Sequence, residues 1–113
     1  MKEYVPDAAD IVWMNFSPQT GREQAGHRPA LVLSPASYNA KSGLAVVCPI
    51  STQRKGYPFE VPLPANGKVQ GVVLSDQVRN LDWRTRSATH AGKASATVIQ
   101  QVRENVAELL EMF

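Results

Sequence analysis

One cysteine, two histidines and an aromatic content of only 7% set the first limits on this 113-residue chain. A lone Cys48 forms no internal disulfide. With His27 and His90 it supplies no zinc-ligand spacing, so no metal is expected. Cys48 lies in an apolar run, 44–50, where a small buried hydrophobe is expected rather than a nucleophile. There is no glycine-rich phosphate loop, and no cofactor is expected. No apolar run approaches membrane-spanning length, and Met1-Lys2-Glu3-Tyr4 carries no signal-peptide pattern. The expected location is therefore the cytoplasm, with no membrane partner. Repeats, low-complexity tracts and linkers are missing as well, so residues 1–113 read as one domain, small enough for dimerisation to help it bury surface.

What is present is a globular composition, 43% hydrophobic and 19% charged. The net charge of +2 hides an uneven distribution. Between Arg22 and Lys93 stand ten lysines and arginines against Glu23, Glu60, Asp76 and Asp82, a local excess of six positive charges. The other acids lie in the first ten residues or after Arg103. A basic middle with acidic ends suggests a polyanionic partner, although surface cations also serve solubility.

Short apolar runs dominate until the last fifth of the chain. Ile11–Phe16, Ala30–Leu33 and Leu44–Ile50 read as strands, the second buried on both faces. Phe59–Leu63 and Val72–Ser75 flank Asn66-Gly67, a favoured hairpin pair. A further extended segment is expected over 84–89. Ser34-Pro35 suggests a cap and first position for a short helical turn. From Ser95 or Thr97 to Glu111, Val98, Val102, Val106, Leu109 and Leu110 form one apolar stripe, which predicts a helix packed on the sheet. Val72–Val78, Leu81 and Trp83 supply apolar surface that suggests a subunit interface. The expectation is a mainly antiparallel β domain closed by one helix.

Two polar loops carry the chemistry-bearing residues. The first holds Arg22, Glu23, Gln24, His27 and Arg28 just before a core strand, and the second holds Ser51, Thr52, Gln53, Arg54 and Lys55 just after one. If those strands are neighbours, both loops open at one rim. A carboxylate, several cations and a hydroxyl fit phosphodiester cleavage of RNA, where the ribose 2′-hydroxyl is the nucleophile. A base must take its proton, and cations must offset charge on the phosphoryl oxygens. Glu23 can be that base, Arg28 can grip phosphate with its planar fork, and Thr52 can donate from its hydroxyl. His27 could serve as an acid or base by residue type, but a lone loop histidine is usually solvated, which makes it a bystander to the chemistry. From the residues alone, a surface ion pair between Glu23 and Arg28 reads equally well.

The segment Gly21-Arg22-Glu23-Gln24-Ala25-Gly26-His27-Arg28-Pro29, running into Ala30-Leu31-Val32-Leu33-Ser34, resembles the MazF (PemK-like) toxins of type II toxin–antitoxin systems. So do Tyr4-Val5-Pro6-Asp7, Asp10-Ile11-Val12-Trp13, Tyr38-Asn39, Thr52–Val61, Ser75–Arg79 and Trp83-Arg84 with Arg86. The resemblance spans nearly the whole chain and is weakest in the last fifteen residues. It implies an SH3-like β barrel with short helices, paired as a homodimer. The implied activity is metal-independent cleavage of single-stranded RNA to 2′,3′-cyclic phosphate and 5′-hydroxyl ends. An antitoxin with a flexible acidic C-terminal segment would block the RNA groove. Glu23, Arg28 and Thr52 fall on catalytic positions. Asn15, Ser17, Gln24, His27, Gln53, Arg54, Lys55, Gln77 and Arg79 are assigned to RNA binding. Asn15 and Ser17 replace aspartates of a close relative, and an asparagine offers a donor as well as an acceptor, so base choice would differ. Two other readings stand against this one. A CcdB-type gyrase poison shares the fold but acts through a tryptophan near its C-terminus, whereas here the tryptophans are Trp13 and Trp83. A non-catalytic SH3-like module would display an aromatic groove.

Overall fold

A computed structural model describes residues 3–16 and 26–112. Seven strands form the sheet: β1 (Asp10–Asn15), β2 (His27–Val32), β3 (Leu44–Ser51), β4 (Glu60–Pro62), β5 (Val72–Leu74), β6 (Arg79–Asp82) and β7 (Thr89–Lys93). Helix α1 spans Ala36–Ser42 and helix α2 spans Ala96–Leu109, and a 3-10 turn covers Ser75–Gln77. Neighbours run β4-β5-β3-β2-β1-β7, with β6 on the N-terminal half of β3, and every pairing is antiparallel. The sheet curls: Leu63 and Pro64 after β4, and Ala91–Lys93 of β7, line one groove under the start of α2.

Period-two alternation divides the apolar side chains between two layers. Ile11, Leu31, Cys48, Ile50, Val61 and Val73 face Val98, Ile99 and Val102 of α2. On the opposite face Val12, Met14, Phe16, Ala30, Val32, Ala45 and Val47 pack with Leu81 and Trp83. Cys48 belongs to the first layer, and burial pushes its thiol up to about 12. It is the buried hydrophobe that its apolar surroundings suggested.

Several local expectations need correction. Strand β2 starts at His27, three residues earlier than expected, so Arg28 lies inside the strand, opposite Met14. Ser34 does not cap α1. The N-cap is Pro35, while the Ser34 hydroxyl donates to Asn39 Oδ1 at 2.6 Å and accepts from the Val46 N–H at 2.9 Å. Asn39 is fully buried and also donates to the Pro6 and Ser34 carbonyls, while its own carbonyl accepts from the Trp83 indole. Asn66-Gly67 is not a two-residue hairpin loop, because the Gly67 N–H donates to the Pro64 carbonyl and the connection runs on to Gly71. Strand β7 begins only at Thr89, and residues 84–88 form no strand. Asp82 caps a turn there by accepting from the Arg84 and Thr85 N–H groups, and the extended segments are β6 and β7 on either side. The stripe on α2 ends early: Ile99 and Asn105 are buried, and Leu109 and Leu110 are exposed. Val72–Leu74, Leu81 and Trp83 are buried within the domain, so they supply no surface for a second subunit.

The N-terminal segment is fastened by Asp10. Its carboxylate accepts from Tyr4 Oη at 2.6 Å, the Asp7 N–H at 3.0 Å and Lys93 Nζ at 3.1 Å. Burial alone would raise its pKa, but these donors outweigh it and hold the carboxyl below the usual carboxylate range. A depressed folded-state pKa gives stability that is present above the unfolded value, about 3.9, and is lost as pH falls through the folded value. Asp10→Asn should therefore cost about 1.5–3 kcal/mol at neutral pH. It should also flatten the acid side of a plot of urea midpoint against pH, measured by circular dichroism.

Candidate functional site

Strands β2 and β3 pair through Ala30 with Pro49, Leu31 with Cys48 and Val32 with Val47. The start of β2 therefore lies beside the end of β3, and the residues flanking them share one rim. That rim borders a groove of about 620 Å³ lined by Trp13, Arg28, Thr52 and Lys68, among others. The expected meeting of the two polar loops is realised for Arg28 and Thr52. Arg28 is half-buried, held between exposed His27 and half-buried Pro29, with buried Ala30 following. Thr52 is exposed directly after buried Ser51, whose hydroxyl accepts from the Gln53 N–H at 3.1 Å. His27 lines the groove and stacks on Trp13.

The loop after Thr52 is held from below. The Glu60 carboxylate accepts from the N–H groups of Lys55 and Gly56, at 3.1 and 3.0 Å. Charge-assisted bonds of this kind are stronger than neutral ones, and they anchor the loop that carries exposed Gln53, Arg54 and Lys55, none of which lines the groove. Lys55 Nζ also sits 5.9 Å from the centre of the exposed Tyr57 ring.

Other expected positions lie elsewhere. Glu23, Gln24 and Ser17 fall outside the described residues. Asn15 ends β1 opposite His27, and its carbonyl accepts from Arg86. Gln77 closes the 3-10 turn, and Arg79 pairs with Val47 on the far edge of β3, its guanidinium 5.9 Å from the Phe16 ring centre. Neither lines the groove. Arg84 grips Glu3 and lies 4.3 Å from the Trp83 ring centre, a structural clamp. Among the described residues no three His, Cys, Asp or Glu side chains gather into a possible metal site.

The opposite wall, Lys68-Val69-Gln70, was not read as part of the site from sequence. Its position depends on Gly71, whose φ is +124°. A Cβ at Gly71 would lie 2.2 Å from the Ser51 carbonyl oxygen, so only glycine lets this connection press against the backbone that leads into Thr52. An isolated glycine entering a strand is the sequence trace of such an approach.

The family model for PemK-like, MazF-like toxins of type II toxin–antitoxin systems matches residues 7–110. The chain is 46% identical over 110 residues to the endoribonuclease toxin MazF of Escherichia coli (strain K12), across 97% of this chain and 98% of that one. It superposes on the crystal structure of MazF from Deinococcus radiodurans with a TM-score of 0.95 and 55% identity, covering 97% of this chain and 100% of that one. A MazE–MazF crystal structure from that organism gives a TM-score of 0.88 and 50% identity, over 98% and 100%.

Gly71→Ala should lower stability by about 1–3 kcal/mol, because the new Cβ and an unfavourable φ both force the connection off Ser51. Amide chemical shifts at Thr52 should move with it. Gly67→Ala, whose Cβ would meet nothing closer than 3.4 Å, serves as the control and should change both little.

Proposed function

This chain belongs to the PemK-like, MazF-like toxins of type II toxin–antitoxin systems, and we propose that it cleaves single-stranded RNA without a metal ion. The observation that carries this reading is the convergence of Arg28 and Thr52 on one groove at the paired ends of β2 and β3. In the reaction the ribose 2′-oxygen attacks the adjacent phosphorus and the bond to the 5′-oxygen breaks. The departing 5′-oxygen takes up a proton from a general acid or water, so the products are a 2′,3′-cyclic phosphate and a 5′-hydroxyl. Arg28 offsets the charge that develops on the phosphoryl oxygens, and Thr52 donates a hydrogen bond to them. Glu23 takes the 2′-hydroxyl proton. Asn15, Ser17, Gln24, His27, Gln53, Arg54 and Lys55 contact the strand, and Gln77 and Arg79 extend the contact surface. With messenger RNA as target, cleavage in the cytoplasm would stop translation and growth. Among the described residues no helix is long and apolar enough to cross a membrane.

Two partners follow from the same reading. The homodimer that goes with the family needs apolar surface, and Leu109, Leu110 and Met112 at the end of α2 are exposed. The antitoxin supplies a flexible acidic segment that competes with RNA for the cations at the groove. In fluorescence anisotropy, an antitoxin peptide and RNA should displace one another, and the on-rate of the peptide should fall as salt rises. Simultaneous binding of both at one site would refute a shared groove.

The decisive experiment separates chemistry from binding. Arg28→Ala should slow single-turnover cleavage by roughly 10² to 10³ while weakening RNA binding far less. Arg28→Lys should recover little, since a point charge does not reproduce the planar fork. Glu23→Gln should flatten the acid limb of the pH–rate profile. An oligonucleotide with 2′-deoxyribose at the cleavage position should bind and stay intact, and the wild type should cut RNA equally well in EDTA. Cutting of the deoxy substrate at the same bond, or near-normal turnover by Arg28→Ala, would rule this mechanism out.

A further inference from the structure

Two aromatic side chains at the groove have no role in the chemistry above. Trp13 is 38% exposed, whereas the chain's other tryptophan, Trp83, is 3% exposed and donates to the Asn39 carbonyl from inside the core. The Trp13 and His27 rings lie 5.5 Å apart, centre to centre, and within 7° of parallel. They are diagonal neighbours across β1 and β2, on the face set by the Trp13–Pro29 and Asn15–His27 pairs. Both line the groove together with Arg28 and Thr52. A large indole left this accessible beside a phosphate-gripping arginine is unusual in a chain so poor in aromatics.

Resting on the RNA-cleaving reading, we infer that the Trp13–His27 pair is a stacking platform for one nucleobase of the bound RNA, next to the phosphate held at Arg28. Three physical features carry this. A flat aromatic surface accepts the face of any base, and such stacking is a recurrent source of affinity for single strands. The pair is preorganised by strand register, so little side-chain entropy is lost when a base arrives. Arg28 and Thr52 line the same groove as the pair, so a base on the platform belongs to a nucleotide near the reacting phosphate. Trp13 is thus a positioning residue: it fixes where the strand lies, while Arg28 and Thr52 act on the phosphoryl oxygens. An acidic antitoxin segment offers carboxylates, which gain nothing comparable from an indole face.

The test uses full-length protein and a short RNA with 2′-deoxyribose at the cleavage position. Trp13→Leu should weaken its binding by about 5- to 150-fold, the range expected for one lost base stack. Trp13→Phe should keep most of the affinity, and His27→Ala, at an exposed strand position, should weaken binding in the same direction. RNA should quench the tryptophan emission of the wild type but not the residual Trp83 emission of Trp13→Phe. Abasic nucleotides placed in turn along the RNA should reveal one position whose loss costs as much as Trp13→Leu, with no further cost when the two are combined. Unchanged affinity in a folded Trp13→Leu protein would overturn the inference. Fully additive losses at every abasic position would do the same, since they mean a role in the sheet alone. So would a Trp13→Leu protein that loses the antitoxin peptide but keeps RNA. A wild type that cuts RNA alongside any of these results separates this failure from a failure of the functional reading, in which the wild type neither binds nor cuts RNA.

Discussion

Strand β3 must satisfy three partners with eight residues, and the rest of the molecule is arranged around that requirement. One edge pairs with β2 throughout its middle, while the other pairs first with β6 over Leu44–Val47 and then with β5 over Ile50–Ser51. Pro49, with no N–H to donate, stands where the second edge changes partner. The change turns the short β4–β5 ladder away from the β6 side and carries its connection over the end of β3. Buried side chains alternate to both faces along the strand, so neither layer of the core can form without it. A strand so heavily committed is a rigid base, and Thr52 is the first residue beyond it.

This explains why the site could be half read from sequence. The residues that enter the groove from β2 and β3 announce themselves, because a polar cluster abutting a buried apolar run is visible as a pattern: Arg28-Pro29 before Ala30-Leu31-Val32, and Ser51-Thr52 after Val46–Ile50. Antiparallel pairing of neighbouring strands then puts the two clusters together with no further information. Helix α2 was equally legible, with Ser95 accepting from the Val98 N–H as its cap, since its stripe depends only on local period.

What stayed hidden depends on tertiary approach. Lys68–Gln70 reads as part of a turn around Asn66-Gly67, and nothing local says that Gly71 folds it onto the Ser51 carbonyl. Trp13 reads as one more apolar residue in a strand, because its exposure follows from where the sheet curls and not from its neighbours. The segment over 84–89 failed for another reason. Nothing in its own residues marks a turn, but the Asp82 carboxylate accepts from two following N–H groups and stabilises one. Val72–Leu74, Leu81 and Trp83 looked like surplus apolar surface because their burial requires β5 and β6 to share one edge of β3, a topology no sequence period encodes.

If Arg28 acts as proposed, its placement inside β2 sets it apart from the other cations. Its Cα position is fixed by register against fully buried Met14, and its half-buried setting lowers the effective dielectric around its charge. A guanidinium held this way needs little reorganisation when negative charge grows on a phosphate nearby, which is the condition for acting on a transition state rather than on a ground state. Arg54 and Lys55 are exposed on a loop whose backbone, not whose side chains, is anchored by Glu60. Their charges are screened within a Debye length of about 8 Å at physiological salt, which suits them to drawing in a polyanion and poorly to discriminating between its reacting and resting forms. Under the proposed reaction, a strand-borne cation that lines the groove and loop-borne cations outside its lining would differ in function because their backbones are held differently.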